Sequence, residues 1–205
     1  MKTAIIAGLT AVLAVAQAQA NIIVNGGFES PAISAGNYGI FTSIPGWTST
    51  LGDGLELQNN AAGTPFEGHN LMELDSNNNS NARQSIATTI NQSYDLSFEY
   101  SPRPGISSAS NPVEVYFGGN LIDTLTGVGA GNTVWSLKQY TVVATGASSV
   151  LEFRAVGTSD SLGGYIDDVK MDVSPVPEVS LPGVVFGAGF AAMALRRFKA
   201  RKVAA

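Results

Sequence analysis

An all-β sandwich is the fold this sequence predicts, and three observations predict it. Between Asn21 and Ser174, apolar residues recur with a period of two rather than 3.6. Clusters of Gly, Asn, Pro and Ser interrupt these runs at short intervals. No stretch of that region sustains a helical apolar stripe, and no internal repeat is visible.

The alternation is plainest in four places. Tyr94, Leu96, Phe98 and Tyr100 alternate with Asp95, Ser97 and Glu99; Val113, Val115 and Phe117 with Glu114 and Tyr116. Leu151, Phe153 and Ala155 alternate with Glu152 and Arg154; Val169, Met171 and Val173 with Lys170 and Asp172. Such strands bury one face and wet the other. Further strands are expected at Ile22–Val24, Leu55–Gln58, Asn70–Asp75, Arg83–Thr88, Leu121–Leu125 and Val134–Val143. About ten strands in one domain is the pattern of a β-sandwich or jelly roll. Pro31–Thr42, Asn59–Gly68 and Pro102–Asn111 read as wide loops, and Asn77–Asn81 as a polar turn.

The two ends of the chain read differently. Residues 1–20 have the form of a secretory signal peptide: Lys2, an apolar stretch from Ala4 to Val15, and Ala18-Gln19-Ala20 as a small-residue cleavage site. The mature domain is expected over 21–174, followed by a proline-containing linker over 175–180. From 181 to 205 the chain predicts a single hydrophobic helix and a basic end. Val179 to Leu195 just reaches the roughly 17–25 apolar residues of a membrane span. Arg196, Arg197, Lys199, Arg201 and Lys202 would hold that end on the cytoplasmic side.

Composition narrows the function. The formal charge of −5 hides an asymmetry, because residues 21–174 carry 15 Asp and Glu against five Lys and Arg, a net of −10. An acidic exported domain has no basic footprint for nucleic acid, and its surface suits divalent cations. There are no cysteines, which excludes a disulfide framework and thiol chemistry. The single histidine, His69, is not accompanied by a Gly-x-Ser-x-Gly elbow, and no carboxylate spacing marks a hydrolytic pair. The expectation is therefore a protein that is not an enzyme.

Pro177-Glu178, the apolar run and the basic cluster stand in an order that resembles the PEP-CTERM sorting signal of Gram-negative bacteria, with Val179 where that pattern has a second proline. The resemblance implies that exosortase, a membrane transpeptidase, recognises Pro177 and Glu178 and removes the tail. It implies a brief stay at the inner membrane, then the cell surface or an exopolysaccharide biofilm matrix.

The domain opens on Asn25-Gly26-Gly27-Phe28-Glu29 and closes on Ile166-Asp167-Asp168-Val169. Between them, Ile44-Pro45-Gly46-Trp47, Leu55–Gln58, Glu67-Gly68-His69-Asn70, Leu71–Asp75 and Tyr94–Tyr100 follow in order. Together they resemble the galactose-binding-like jelly rolls, among them calcium-containing carbohydrate-binding modules. First and last strands of a sandwich are often neighbours, which brings Glu29 toward Asp167 and Asp168. Alternation puts Asp167 on the face of Val169 and Met171, pointing inward, where a carboxylate needs a partner. Calcium takes six to eight oxygens, and Glu29 with one of the two Asp residues would supply some of them. The resemblance adds backbone carbonyls from the Gly27 and Glu67–Asn70 regions. The alternative is that Asp167 or Asp168 bonds backbone amides.

Candidate sugar contacts are Trp47, Trp135 and Arg103, since glycan sites combine flat aromatic faces with polar groups. Each has a structural alternative: core packing for the tryptophans, loop bracing for Arg103. The leading expectation is an exported, non-catalytic domain that binds extracellular glycan. A structural or adhesive matrix protein without a sugar site is the alternative, and a polysaccharide hydrolase a more distant one.

Overall fold

The computed structural model describes residues 21–175, and the compact unit ends at Ser174. Twelve strands form two six-stranded antiparallel sheets, and the described residues contain no helix. Sheet A has the order β1 (Asn37–Phe41), β4 (Leu55–Asn59), β5 (Leu71–Glu73), β12 (Tyr165–Val173), β7 (Ser93–Ser101), β10 (Ser136–Val143). Sheet B has the order β2 (Ser43–Ile44), β3 (Trp47–Thr48), β6 (Asn81–Ala87), β11 (Ser148–Ala155), β8 (Val113–Phe117), β9 (Asn120–Leu125). This is the jelly-roll sandwich expected. The predicted leader, the hydrophobic helix and the sorting motif at Pro177, Glu178, Arg196 and Arg197 lie outside the described residues.

The inner faces meet as the alternation requires. Leu96 and Phe98 of β7, Leu55 and Leu57 of β4, and Ile166, Val169 and Met171 of β12 pack from sheet A. Val113, Val115, Leu151 and Phe153 pack from sheet B. An aromatic chain runs through the centre: Phe28 to Trp47 at 5.5 Å, Trp47 to Phe153 at 6.0 Å and Phe153 to Phe98 at 4.9 Å. Trp47 is fully buried, and its indole N–H donates to the Asn25 carbonyl at 3.1 Å. It belongs to the core, so the expectation of a sugar contact at Trp47 is corrected.

Three other expectations change in detail. Asn37–Phe41, read as loop, is the edge strand β1, paired to β4 along its whole length. Ile22–Val24, read as a strand, instead runs beside both sheets. The Ile22 amide donates to Met171 O of β12, while Val24 exchanges two hydrogen bonds with the buried Gln84 side chain of β6, at 2.8 and 3.0 Å. The primary amide of Gln84 carries a donor and an acceptor, so it replaces the backbone partner that an edge position lacks.

The third concerns Asp167. A register shift interrupts β12 between Asp167 and Lys170, with Asp168 in the left-handed region at φ 50°. A bulge adds a residue on one strand and re-aims the side chains around it. Ile166 and Val169 both reach the core, whereas Asp167 points to the opposite face. It is nevertheless fully buried, because a loop covers it.

Candidate functional site

The outer face of sheet A is polar, and much of it is dry. Strand β4 is buried at all five positions, so Glu56 and Gln58, which alternate with the core residues Leu55 and Leu57, are buried under other cover. Glu73 of β5, Tyr165 and Asp167 of β12, and Glu99 and Ser101 of β7 share that face. The cover is a strap formed by the β4–β5 connection, residues 60–70. Its Phe66 and Glu67 amides donate to Asp167 Oδ2 at 2.8 and 3.2 Å, and its Ala62 amide to Gln58 Oε1 at 3.2 Å. Trp135 donates its indole N–H to Thr64 O at 3.0 Å and meets Phe66 edge-on at 6.3 Å. Gly63 passes directly over Tyr165, where a Cβ would stand 2.6 Å from the ring.

Beside the strap is a cavity of about 290 Å³ whose lining includes Tyr38, Glu56, Gln58, Asn77, Arg103 and Ser161. Tyr38 lies 62% exposed, while Glu56 is 6% and Gln58 1% exposed. Arg103 reaches it from the segment after β7. Its backbone N–H donates to Asn111 Oδ1 at 2.9 Å, and its Nη1 to Glu73 Oε2 at 2.5 Å and to Ser161 O at 3.3 Å. Gln58 donates to Glu56 Oε1 at 2.8 Å and also to Glu73 Oε2. Glu73 further accepts the Gly163 amide at 2.6 Å. Two carboxyl groups thus converge on one side-chain amide, and one guanidinium pairs with the second of them, Glu73. Burial, with Glu56 beside it, pushes Glu73 up to about 8 against the opposing pull of Arg103. Burial raises Glu56 as well. A second, more open hollow of about 420 Å³ lies where Asp95 and Asp172 face each other across β7 and β12.

The residues singled out as metal ligands gather at the far end of the strap. Gly27 lies against Glu67, whose Oε1 is 2.5 Å from where a Gly27 Cβ would stand. Glu29 Oε1 accepts the His69 and Asn70 amides at 2.8 and 2.9 Å. Gly68, at φ 59°, is required there twice, since a Cβ would also fall 2.4 Å from Glu29. The first segment adjoins the last strand, the Val169 amide donating to Gly26 O at 3.0 Å. Asp167 accepts three backbone amides, those of Phe66, Glu67 and Asp168. Burial outweighs these donors and pushes it up to about 7. Asp168 pairs with Lys170 at 2.6 Å. Among the described residues, no three Asp, Glu or His side chains converge on one point as a ready-made cage. Two features suit a cation all the same. Burial and the nearby charges of Asp168 and Glu29 raise Glu67, and Asn70 Oδ1 is buried with no hydrogen-bond partner.

Of the proposed sugar contacts, Arg103 borders the cavity and Trp135 braces the strap beside it. Tyr38, Glu56, Gln58 and Glu73 were not singled out from the sequence. The one available signal was that Glu56 and Gln58 interrupt an apolar strand.

No family model matches the chain. Multifunctional-autoprocessing repeats-in-toxin proteins of Vibrio vulnificus and Vibrio cholerae are 30% and 29% identical over 152 residues, which is 73% of this chain. The chain spans about 3% of the length of these curated relatives. Among solved structures, the K1 cleaved adhesin domain of Lys-gingipain from Porphyromonas gingivalis superposes with a TM-score of 0.52 at 16% identity, over 68% of this chain and 98% of that one. The K2 cleaved adhesin domain of Lys-gingipain gives 0.51 at 15% identity, over 73% and 97%. A family 16 carbohydrate binding module gives 0.50 at 16% identity, over 74% and 99%. The fold is thus a jelly roll shared with adhesin domains and carbohydrate-binding modules.

The charge arrangement makes stability depend on pH. Glu73 is raised in the folded state, so its contribution is whole below the ordinary carboxylate range and is lost as pH rises through about 8. The thermal midpoint should fall between pH 5 and pH 8.5, and Glu73→Gln should flatten that fall. Parallel pH curves for the two proteins would show that Glu73 is already ionised at pH 5.

Proposed function

We propose that residues 21–174 form a non-catalytic domain that binds glycan in the cavity beside the strap. The observation that carries this reading is the convergence of Arg103, Glu56, Gln58 and Asn77 on one concave space with an exposed aromatic residue, Tyr38, among its lining. Small-molecule sites combine a few fixed polar groups with apolar or aromatic walls. Glu56 and Gln58 offer acceptors to sugar hydroxyls, Asn77 and Arg103 offer donors, and the Tyr38 ring offers a surface for C–H stacking. Glu56, Gln58 and Arg103 are already braced through Glu73, so little ordering of these three is needed on binding. The named binding property of the family 16 module supports this reading, whereas the adhesin domains are compatible with the matrix-protein alternative. Screening the protein on a glycan array tests it. Arg103→Ala, and Tyr38→Ala at an exposed position that leaves the fold intact, should each weaken binding by about tenfold or more. A flat array would favour the adhesive scaffold.

Calcium belongs to the same proposal. Glu29, Glu67 and Asp168, with Asn70 Oδ1 and the Gly27 carbonyl, would supply an all-oxygen donor set of the kind calcium takes if the ion drew their side chains together. The ion would pin the first turn of the domain to the strap and to β12. Chelation should then lower the thermal midpoint by about 5 °C or more. A purified protein that holds no calcium and shows no shift on chelation would remove the ion from the account.

Export and sorting complete the proposal. The leader would carry the chain across the inner membrane, and exosortase would act at Pro177-Glu178 to release the domain to the cell surface or extracellular matrix. Replacing Pro177 and Glu178 with Ala should leave the uncleaved chain in the membrane fraction. Normal release of that variant would overturn the assignment of the motif.

A further inference from the structure

Each cation of the domain can be matched to the carboxylate it serves. Arg83 and Arg154 both reach Glu152 on the outer face of sheet B, at 3.5 and 2.9 Å. Lys170 pairs with Asp168, and Arg103 with Glu73. Lys138, on β10, lies close enough to favour the charge of Glu99. Glu56 forms no ion pair among the described residues, although Arg103 lies close enough to favour its charge. It accepts the neutral amide of Gln58 on Oε1, and the Glu73 carboxyl lies within hydrogen-bond reach of it. Glu56 is 6% exposed, and what it faces is the cavity.

The charges around Glu56 sharpen the point. Glu73 faces it from β5, and Asp75, just beyond that strand, adds a third carboxylate. Asp75 is held by neutral donors only: the amides of Asp160 and Leu162 and the hydroxyl of Ser159. Arg103 is the one cation in the group, and Tyr165 of β12 contributes a neutral hydroxyl to Gln58. The cavity floor therefore carries more carboxylates than cations. An anionic sugar, such as a uronate or a sulfated unit, would meet Glu56 and Glu73 with the guanidinium already engaged. A positive group on the ligand would supply the missing charge where desolvation makes it count.

We propose that this cavity takes a glycan bearing unacetylated amino sugars, with the sugar ammonium against Glu56 and the pyranose face against Tyr38. The inference rests on the glycan-binding reading above and adds the class of sugar. A cation placed beside Tyr38 would also be held by the face of its ring. The raised proton affinities of Glu56 and Glu73 give the proposal a second readout. An ammonium beside them favours their ionised form, so binding should release protons.

The test is calorimetry on the full chain with glucosamine oligomers, their N-acetylated counterparts, cello-oligosaccharides and oligogalacturonates of equal length. Glucosamine oligomers should bind about tenfold more tightly than the acetylated or neutral ones, and oligogalacturonates most weakly. The binding enthalpy should vary with the ionisation enthalpy of the buffer, which reports proton release. Glu56→Gln should bring the glucosamine oligomers down to the affinity of their N-acetylated counterparts. Asp53→Asn, an exposed charge elsewhere, should leave the preference unchanged and so separates the cavity from general attraction to an acidic surface. Equal affinity for amine and acetamide would overturn the amino-sugar inference and leave the glycan reading standing. A preference untouched by Glu56→Gln would overturn its assignment to this cavity. Binding to none of the sugars, here or on the array, would overturn the glycan reading itself.

Discussion

A carboxylate shut away from water must find donors, and Asp167 finds three of them in backbone amides. Two belong to the strap, so the requirement of one side chain on β12 fixes where the β4–β5 connection lies. Once the strap is held there, Gly63 must pass over Tyr165, Thr64 is offered to the Trp135 indole, and Ala62 meets Gln58. The strap then forms one wall of the cavity. Loosening Asp167 would disturb all of these together.

The same logic allocates the cations. A domain with five basic and 15 acidic residues has few positive charges to distribute. Three arginines go to two buried carboxylates, Glu152 between two of them and Glu73 beneath Arg103, while the equally buried Asp75 and Asp167 are held by neutral donors. Such pairs need not add much stability over an apolar replacement, but breaking one strands a buried charge. Glu56 has neither an ion pair nor the backbone amides that hold Asp75 and Asp167. That shortage is what a cation on a ligand would relieve.

The strands were readable where alternation is strict, as in β7, β8 and β11, because period two states which residues share a face. It does not state whether a loop covers the outer one. Alternation alone would leave Glu56, Gln58 and Glu73 on a wetted face, and their burial depends on a strap whose path is set by Asp167, about 100 residues away in sequence. Strict alternation puts Asp167 on the wrong face, because one additional residue in the Ile166–Val169 run inverts the pattern without altering composition. The β1 strand was hidden by its surroundings, since Asn37 and Gly39 resemble loop residues and pairing with β4 supplies the order. Trp47 follows Pro45-Gly46 as a loop residue would, yet Phe28 and Phe153 enclose it from distant segments. The meeting of the domain's two ends is easier to read. Gly27, Glu29, Asp167 and Asp168 do come into one neighbourhood, together with Glu67.

The two tryptophans divide the molecule optically. Trp47 lies in the dry centre of the sandwich, while Trp135 is half-buried and tied to the strap through Thr64 and Phe66. Indole emission depends on local polarity, so one chromophore reports on the integrity of the whole sandwich and the other on a single loop. Movement of the strap and loss of the fold therefore carry separate spectroscopic signatures, with no label added to the chain.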